Sequence, residues 1–198
     1  MRNSAAFPIH VIPGKSVGRL ELGMMQGEIL RAIHEMRMEW EDAGASDVEI
    51  IEDPEYDGLR CVRYMNGSSG IPFFFIVTFR NGEAVEIGIN RDVDSENPVV
   101  YQIKEMQHLA LFQFPAELLV TYLKTFSDCI ADSDDELLAN EYVFPKLGLK
   151  LWRENAFHSK LLLDREYRSM MGDMVTEEFR NIFFDIVKVM NVEEDCHE

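Results

Sequence analysis

The dipeptide Asn81-Gly82 constrains the fold of this chain more than any other feature. It stands between two apolar segments, residues 72–80 and 83–90, and both of its residues tolerate the positive φ of a type I′ turn. The pattern predicts a β-hairpin, preceded by a further strand at 59–65. Side-chain alternation predicts an apolar face on this hairpin, made of Phe73, Phe75, Val77, Phe79, Val85, Ile87 and Ile89.

Three segments carry apolar residues at helical spacing. The first covers residues 24–39, and its apolar stripe is Leu22, Met25, Ile29, Ile33 and Met36. The second begins near Pro115, a residue that suits a helix start because its missing N–H would be unsatisfied there anyway. The third is a C-terminal helix over residues 175–190, with the stripe Phe179, Ile182, Phe183, Ile186, Val187 and Met190.

The segment from Val11 to Met24 leads into the first helix. Its sequence Pro13-Gly14-Lys15-Ser16 is similar to the end of a phosphate-binding loop, but Ile9 stands where that motif needs its first glycine. We therefore predict a structural turn. Gly18 and Gly23 would allow the chain to bend from an extended lead-in into the helix.

The two halves of the chain follow the same order of predicted elements: a helix, an acidic loop and three strands. The acidic loops are residues 39–58, which contain no Lys or Arg, and residues 128–136. Phe79-Arg80-Asn81-Gly82 aligns with residues 152–155, although the identity is too low to establish duplication. We predict a single α+β domain over residues 1–198, with an antiparallel sheet, helices mainly on one face and half-repeats at 11–92 and 112–168.

The formal net charge of −17 limits the classes of partner. A field of this sign repels nucleic acids and anionic membranes and attracts basic proteins, unless it serves only solubility. Cys61, Cys129 and Cys196 are too far apart for a zinc site, and their odd number does not suit a disulfide framework. No apolar run is long enough to span a bilayer, and the N-terminus lacks a signal-peptide pattern. We expect a cytoplasmic protein that binds neither nucleic acid nor membranes.

No motif predicts a catalytic residue, a cofactor or a metal site. The five histidines are not paired with each other or with cysteine at ligand spacing. Residues 91–98 are acidic like a calcium loop, but Asn97 occupies the position of the required glycine. The abundant carboxylates of the acidic loops leave open an enzyme with a carboxylate site of unrecognised type.

If the helices cover one face of the sheet, the other face is predicted to mix aromatic and basic residues. Such residues anchor protein interfaces well. The predicted partner-binding set is Arg60, Tyr64, Phe74, Arg80, Lys150, Trp152 and Lys160. The alternative is that the C-terminal helix or a second protomer covers this face structurally.

Two segments carry a resemblance to known proteins. The pattern from Gly18 to Met24, followed by a helix and the strands around Val77 to Val85, resembles the helix–strand module of the beta-lactamase inhibitor protein and of small outer-membrane assembly lipoproteins. The segment from Phe144 to Glu154 looks like one in uncharacterised bacterial proteins, some of them regarded as immunity proteins of contact-dependent toxin systems. The resemblance implies non-enzymatic protein binding by an open sheet. We expect the chain to differ from the lipoproteins by the absence of a lipidated N-terminus, and from the inhibitor by the absence of paired disulfides.

These features favour a cytoplasmic protein-binding module, such as an immunity protein that neutralises a basic toxin domain. Two alternatives remain: an enzyme with a site in the acidic loops, and the subunit of an obligate homo-oligomer. In the oligomer, the apolar stripe of residues 179–190 would pack against another copy.

Overall fold

The computed structural model describes residues 9–40, 48–66, 74–91, 101–103 and 109–192. The strands of the first half are β1 (Ile9–Ile12), β2 (Ser16–Val17), β3 (Leu20–Glu21), β4 (Val48–Glu52), β5 (Leu59–Asn66), β6 (Phe74–Arg80) and β7 (Glu83–Asn90). Those of the second half are β8 (Tyr101–Ile103), β9 (Leu109–Ala110), β10 (Ile130–Ala131), β11 (Glu141–Phe144), β12 (Leu149–Trp152) and β13 (Ile186–Met190). The α-helices are α1 (Gln26–Trp40), α2 (Ala116–Leu123), α3 (Arg165–Met171) and α4 (Val175–Glu178). None of the helices in the described ranges is long and apolar enough to cross a membrane.

The strands form two sheets, and the larger one organises the fold. It has eight antiparallel strands in the order β10-β11-β12-β13-β7-β6-β5-β4. The smaller sheet has the order β3-β2-β1-β8-β9, and β1 pairs with β8 in parallel. The predicted fold class, α+β with an antiparallel sheet and helices mainly on one face, is confirmed.

The core lies between the helices and one face of the large sheet, which we call the inner face. Helix α1 buries Ile29, Ile33 and Met36 there, as predicted, together with Ala32, and α2 buries Leu119, Val120 and Leu123. Met25, which was predicted to join the first stripe, precedes the first residue of α1 and is 49% exposed. The inner face of the sheet contributes Val62, Tyr64, Phe75, Val77, Phe79, Ile87, Ile89, Val187, Val189, Leu149, Leu151, Tyr142 and Phe144.

The predicted Asn81-Gly82 hairpin is confirmed, with positive φ at both residues. Most of its predicted faces are correct, but Val85 is not on the inner face. The register shifts so that Thr78 pairs with Glu86 while Phe79 pairs with Ala84, which leaves Val85 as the extra residue of a β-bulge. Val85 therefore lines the outer surface of the sheet, and Ala84 is buried in its place. Phe73 lies outside the described residues.

Each half of the chain places a helix before a four-stranded antiparallel meander. Strands β4 to β7 follow α1, and strands β10 to β13 follow α2. The second meander therefore ends at residue 190, not at the predicted 168. The predicted alignment of Phe79 with Trp152 is also wrong, since Phe79 is buried on the inner face and Trp152 lies on the opposite face.

The predicted helix over residues 175–190 is wrong. The chain forms only α4 and a 3₁₀ turn (Phe179–Ile182) before it extends into β13, which lies between β7 and β12. The segment Ile186-Val187-Lys188-Val189-Met190 is rich in β-branched residues, and its burial alternates with a period of two. Because Val187 and Val189 are in the core, the stripe of residues 179–190 does not form a helical surface for another copy.

The opening segment is a structural lead-in, as predicted. The turn at Pro13–Lys15 is closed by a hydrogen bond from Lys15 N to Ile12 O (3.0 Å). Gly23 has a φ of 86° and donates to the carbonyl of Ala84 (2.8 Å), so this bend attaches the start of the first helix to β7.

A close contact between two glycines joins this turn to the second meander. Gly148 ends the 3₁₀ turn Pro145–Leu147 with a φ of 60°, and its carbonyl accepts from Gly14 N (3.4 Å) and from Met190 N (2.9 Å). A Cβ at Gly148 would overlap the carbonyl oxygen of Met190 and lie 2.7 Å from the Cα of Gly14. Only glycine fits this position.

We predict that Gly148→Ala is far more destabilising than Gly58→Ala. Gly58 also has a positive φ of 70°, but no atom would lie within 4 Å of its added Cβ. The control should therefore cost only the left-handed strain of about 1–2 kcal/mol. Overlap with backbone should add about 1–3 kcal/mol for Gly148→Ala. Urea denaturation of both variants measures the difference, and equal losses would contradict the packing argument.

Candidate functional site

The face of the large sheet that points away from α1 and α2 is the candidate interface, and we call it the outer face. Side chains there are only half-buried, as the alternating burial of β11, β12 and β13 demonstrates. No helix in the described part of the chain packs on it. Its apolar members include Ile76, Val143, Trp152, Ile186 and Met190.

A charged cluster occupies the centre of the outer face. Lys188 Nζ donates to Glu86 Oε2 (3.2 Å), and Lys150 Nζ lies 3.6 Å from Glu86 Oε1 and 3.8 Å from Glu141 Oε2. The stem of Lys188 passes over Gly88, where an added Cβ would lie 3.1 Å from Lys188 Cγ. The two lysines and two glutamates compensate each other, so the centre of this face is close to neutral within a strongly acidic protein.

Glu86 is the central residue of this cluster because it contacts both lysines. Burial would raise the pKa of the Glu86 carboxyl, but the charges of Lys188 and Lys150 outweigh that effect and lower it. Thr78 Oγ1 also donates to Glu86 Oε2 (3.5 Å). Glu86 is therefore held ionised between β6, β12 and β13.

The structure brings together only part of the predicted partner-binding set. Lys150 and Trp152 lie on the outer face, and Arg80 lies at its margin, where it lines a shallow groove of about 570 Å³ with Tyr56 and Met190. Phe74 pairs with Met65 at the start of β6, and its side chain lies outside the described part.

Three of the predicted residues are not on this face. Tyr64 is fully buried on the inner face, since it pairs with Phe75, and burial raises the pKa of its hydroxyl to about 12. Arg60 also lies on the inner side, over the ring of Phe79 and hydrogen-bonded to Gln26. Lys160 belongs to the 3₁₀ turn Ser159–Leu163, where it forms an ion pair with Asp135.

Sequence reasoning missed several residues of the outer face. Lys188 and Ile186 were overlooked because residues 175–190 were predicted to be a helix. Arg63, which pairs with Asp53 and faces outward, was overlooked because the face of β5 was assigned without its register to β6. The alternation of β5 could have found it, since Val62 and Tyr64 share the apolar parity.

The described parts of the two acidic loops lie at opposite edges of the large sheet. Glu49, Glu52, Asp53, Glu55 and Asp57 lie on β4 or in the turn after it, and Asp128, Asp132, Asp134, Asp135 and Glu136 flank β10. Because neighbouring strands of a sheet lie about 4.8 Å apart, the two edges of this eight-stranded sheet are roughly 34 Å apart. The outer face is thus a near-neutral, partly apolar surface between two acidic margins.

The side chain of His158 is already engaged with its neighbours. His158 Nδ1 accepts from Lys160 N (3.0 Å), so the ring hydrogen is on Nε2, which donates to Glu117 Oε2 (3.1 Å). In this arrangement neither ring nitrogen has a free lone pair for proton abstraction. No group of three or more His, Cys, Asp or Glu residues in the described ranges has a geometry suited to a metal ion. Residues 92–98, considered above as a calcium loop, lie outside those ranges.

A cavity of about 270 Å³ lies between α2, residues 136–142 and the segment that connects β12 to β13. Its lining includes Arg153, which is 2% exposed. It is separate from the outer face, since the connecting segment packs on the side of the sheet that carries α2.

Comparisons with known proteins add no assignment to this geometry. No protein-family model matches the chain. Neither the curated proteins nor the solved structures include a significant match. The resemblance to the inhibitor and lipoprotein module therefore stays a prediction.

We predict that Glu86→Gln destabilises the fold at pH 7 by about 1–3 kcal/mol, because it removes the charged partner of two lysines. The pKa of Glu86 is lowered in the folded state, so its contribution is complete above the ordinary value of 4.5 and is lost as pH falls through the folded pKa. Denaturation curves at pH 7 and at decreasing pH below 4.5 should show the gap between wild type and variant closing.

Glu141→Gln is the matched comparison. Glu141 has one contact to Lys150 at 3.8 Å and a side chain 39% exposed, so its loss should cost less than about 1 kcal/mol. A difference between Glu86→Gln and wild type that stays constant at low pH would contradict the role given to Glu86.

Proposed function

We propose that the chain is a non-enzymatic protein-binding module whose outer sheet face is the contact surface. The observation that carries the proposal is the composition of this face: Trp152, Ile76 and Ile186 surround charges that are already mutually neutralised. Such a centre can be desolvated by a partner without leaving an unpaired charge buried. Tryptophan is among the residues most often found at the energetic centre of interfaces.

The partner we propose is a basic protein, for instance a bacterial toxin domain that the chain neutralises in the cytoplasm. Charge complementarity supports this choice, since the formal charge is −17 and the two acidic margins flank the outer face. Complementary margins accelerate association, whereas the desolvated centre determines how slowly the complex dissociates. Contacts with both margins would also fix the orientation of a partner that is wide enough to reach them.

We predict that Trp152→Ala weakens partner binding at least tenfold, mainly through faster dissociation. The wild-type protein, immobilised, is used to capture a partner from the source cell, and the captured protein is purified and titrated by surface plasmon resonance. Phe126→Ala is the control, because Phe126 is an aromatic side chain 50% exposed just beyond the end of α2, away from the outer face. Equal binding by both variants would contradict the proposed surface.

We predict a different effect from neutralising the margins. Glu55→Gln combined with Asp134→Asn removes one exposed carboxylate from each edge. The association rate of a basic partner should fall and depend less on salt, while the dissociation rate stays nearly unchanged. An association rate that is insensitive to both salt and these substitutions would contradict electrostatic steering.

The enzyme alternative has its own test. Purified protein is assayed for hydrolase activity with and without divalent cations. The binding proposal would be abandoned for an enzymatic function if the protein shows turnover that substitutions in the acidic margins abolish and outer-face substitutions leave unchanged.

A further inference from the structure

The cavity beside α2 exists because the second meander departs from the first. Strands β6 and β7 are joined by the turn Asn81-Gly82, whereas β12 and β13 are joined by residues 153–185. This longer connection includes α3 and α4 and returns against α2, where Phe157 and Phe179 stack edge to face with centroids 5.2 Å apart. The cavity lies between this connection and the helix.

The cavity has a polar, exposed rim and a buried floor. Glu117, Thr121, Lys124 and Ser159 are exposed at the rim. The floor consists of residues less than a tenth exposed: Val120, Tyr142, Arg153 and Phe157. A small molecule could therefore enter from solvent and place one end against Arg153.

Arg153 is held in place by backbone carbonyls. Its Nε donates to Ala139 O (3.0 Å), and Nη2 donates to Leu137 O (2.8 Å) and to the Tyr142 hydroxyl (3.3 Å). Nη1 has only a long contact with Asn181 O (3.5 Å). A guanidinium has five N–H donors. The contacts with the described residues do not use all of them, so Nη1 can still donate a hydrogen bond to a ligand.

The charge of Arg153 is not matched by a carboxylate in direct contact, although the charges of Asp185 and Asp132 act on it from a longer distance. No Asp or Glu of the described chain lies within ion-pair distance of it, and the two carboxylates of the lining are engaged elsewhere, Glu117 with His158 and Glu136 with Lys124. Burial lowers the pKa of Arg153, which reflects the cost of holding its charge away from water. A buried cation whose nearest carboxylates lie beyond ion-pair distance is costly, and an anion that contacted it directly would recover part of that cost.

We propose that this cavity binds a small organic carboxylate with an apolar body. The carboxylate would contact Arg153 at the floor, and the body would lie against Val120, Phe157, Phe179 and Ile182. The volume of about 270 Å³ suits a single ring or a short alkyl chain. The proposal does not depend on the protein partner of the outer face.

The test compares isosteric probes with and without charge. Benzoate, 3-phenylpropanoate and hexanoate are titrated into the full chain by isothermal calorimetry at constant ionic strength, beside benzamide, 3-phenylpropanamide and hexanamide. We expect at least one carboxylate to bind with millimolar or better affinity and at least tenfold more tightly than its amide. Acetate, which lacks an apolar body, should bind much more weakly.

Two variants locate the binding. Thr121→Phe fills the rim from an exposed position, so the fold should survive while carboxylate binding is lost. Thr125→Phe places the same group on an exposed residue just beyond α2, outside the cavity lining, and should bind like wild type. Three results would each overturn the proposal. They are amides that bind as tightly as the carboxylates, carboxylate binding that is unchanged in Thr121→Phe, and no binding of any probe.

Discussion

The antiparallel pairing of β7 with β13 is the interaction on which the rest of the structure depends. It joins two meanders into one sheet, with Ile89 opposite Val187 and Ile87 opposite Val189 in the core. Because the last strand of each meander is central, the first strand of each is forced to an outer edge. This topology carries the two acidic segments, each of which lies between a helix and its meander, to opposite margins of the same face.

The two halves use the same order of elements for different purposes. In the first meander, a two-residue turn joins the last two strands, β6 and β7, with no longer segment between them. The second replaces that turn with residues 153–185, and the buried Arg153 at the start of this connection ties it to the carbonyls of Leu137 and Ala139. The protein thereby gains a cavity with a buried arginine at its floor on one side of the sheet, while the opposite face stays open in both halves.

Much of this architecture could be predicted from local sequence. The Asn81-Gly82 turn, α1 and the structural role of the opening segment follow from positive-φ preference and helical periodicity, which depend on few neighbours. Residues 186–190 could not be assigned the same way, because a short apolar run fits both the helical period of 3.6 residues and the strand period of two. Only the pairing with β7 and β12 decides that this segment is a strand. The predicted surface failed at Arg60 and Tyr64 for a related reason: the facing of β5 depends on its register with β6, which sets these two residues opposite the buried Phe79 and Phe75.

The central position of β13 also has a kinetic consequence during synthesis. The first half can form its meander once β7 has emerged, but the edge of β7 then waits for residues 186–190. At about 5–20 residues per second, the intervening segment takes roughly 5–20 s to be made. For that interval an apolar strand edge is unpaired, which is the kind of surface that templates aggregation. Chaperone dependence of this protein should therefore concentrate on the nascent chain, before its last strand completes the sheet.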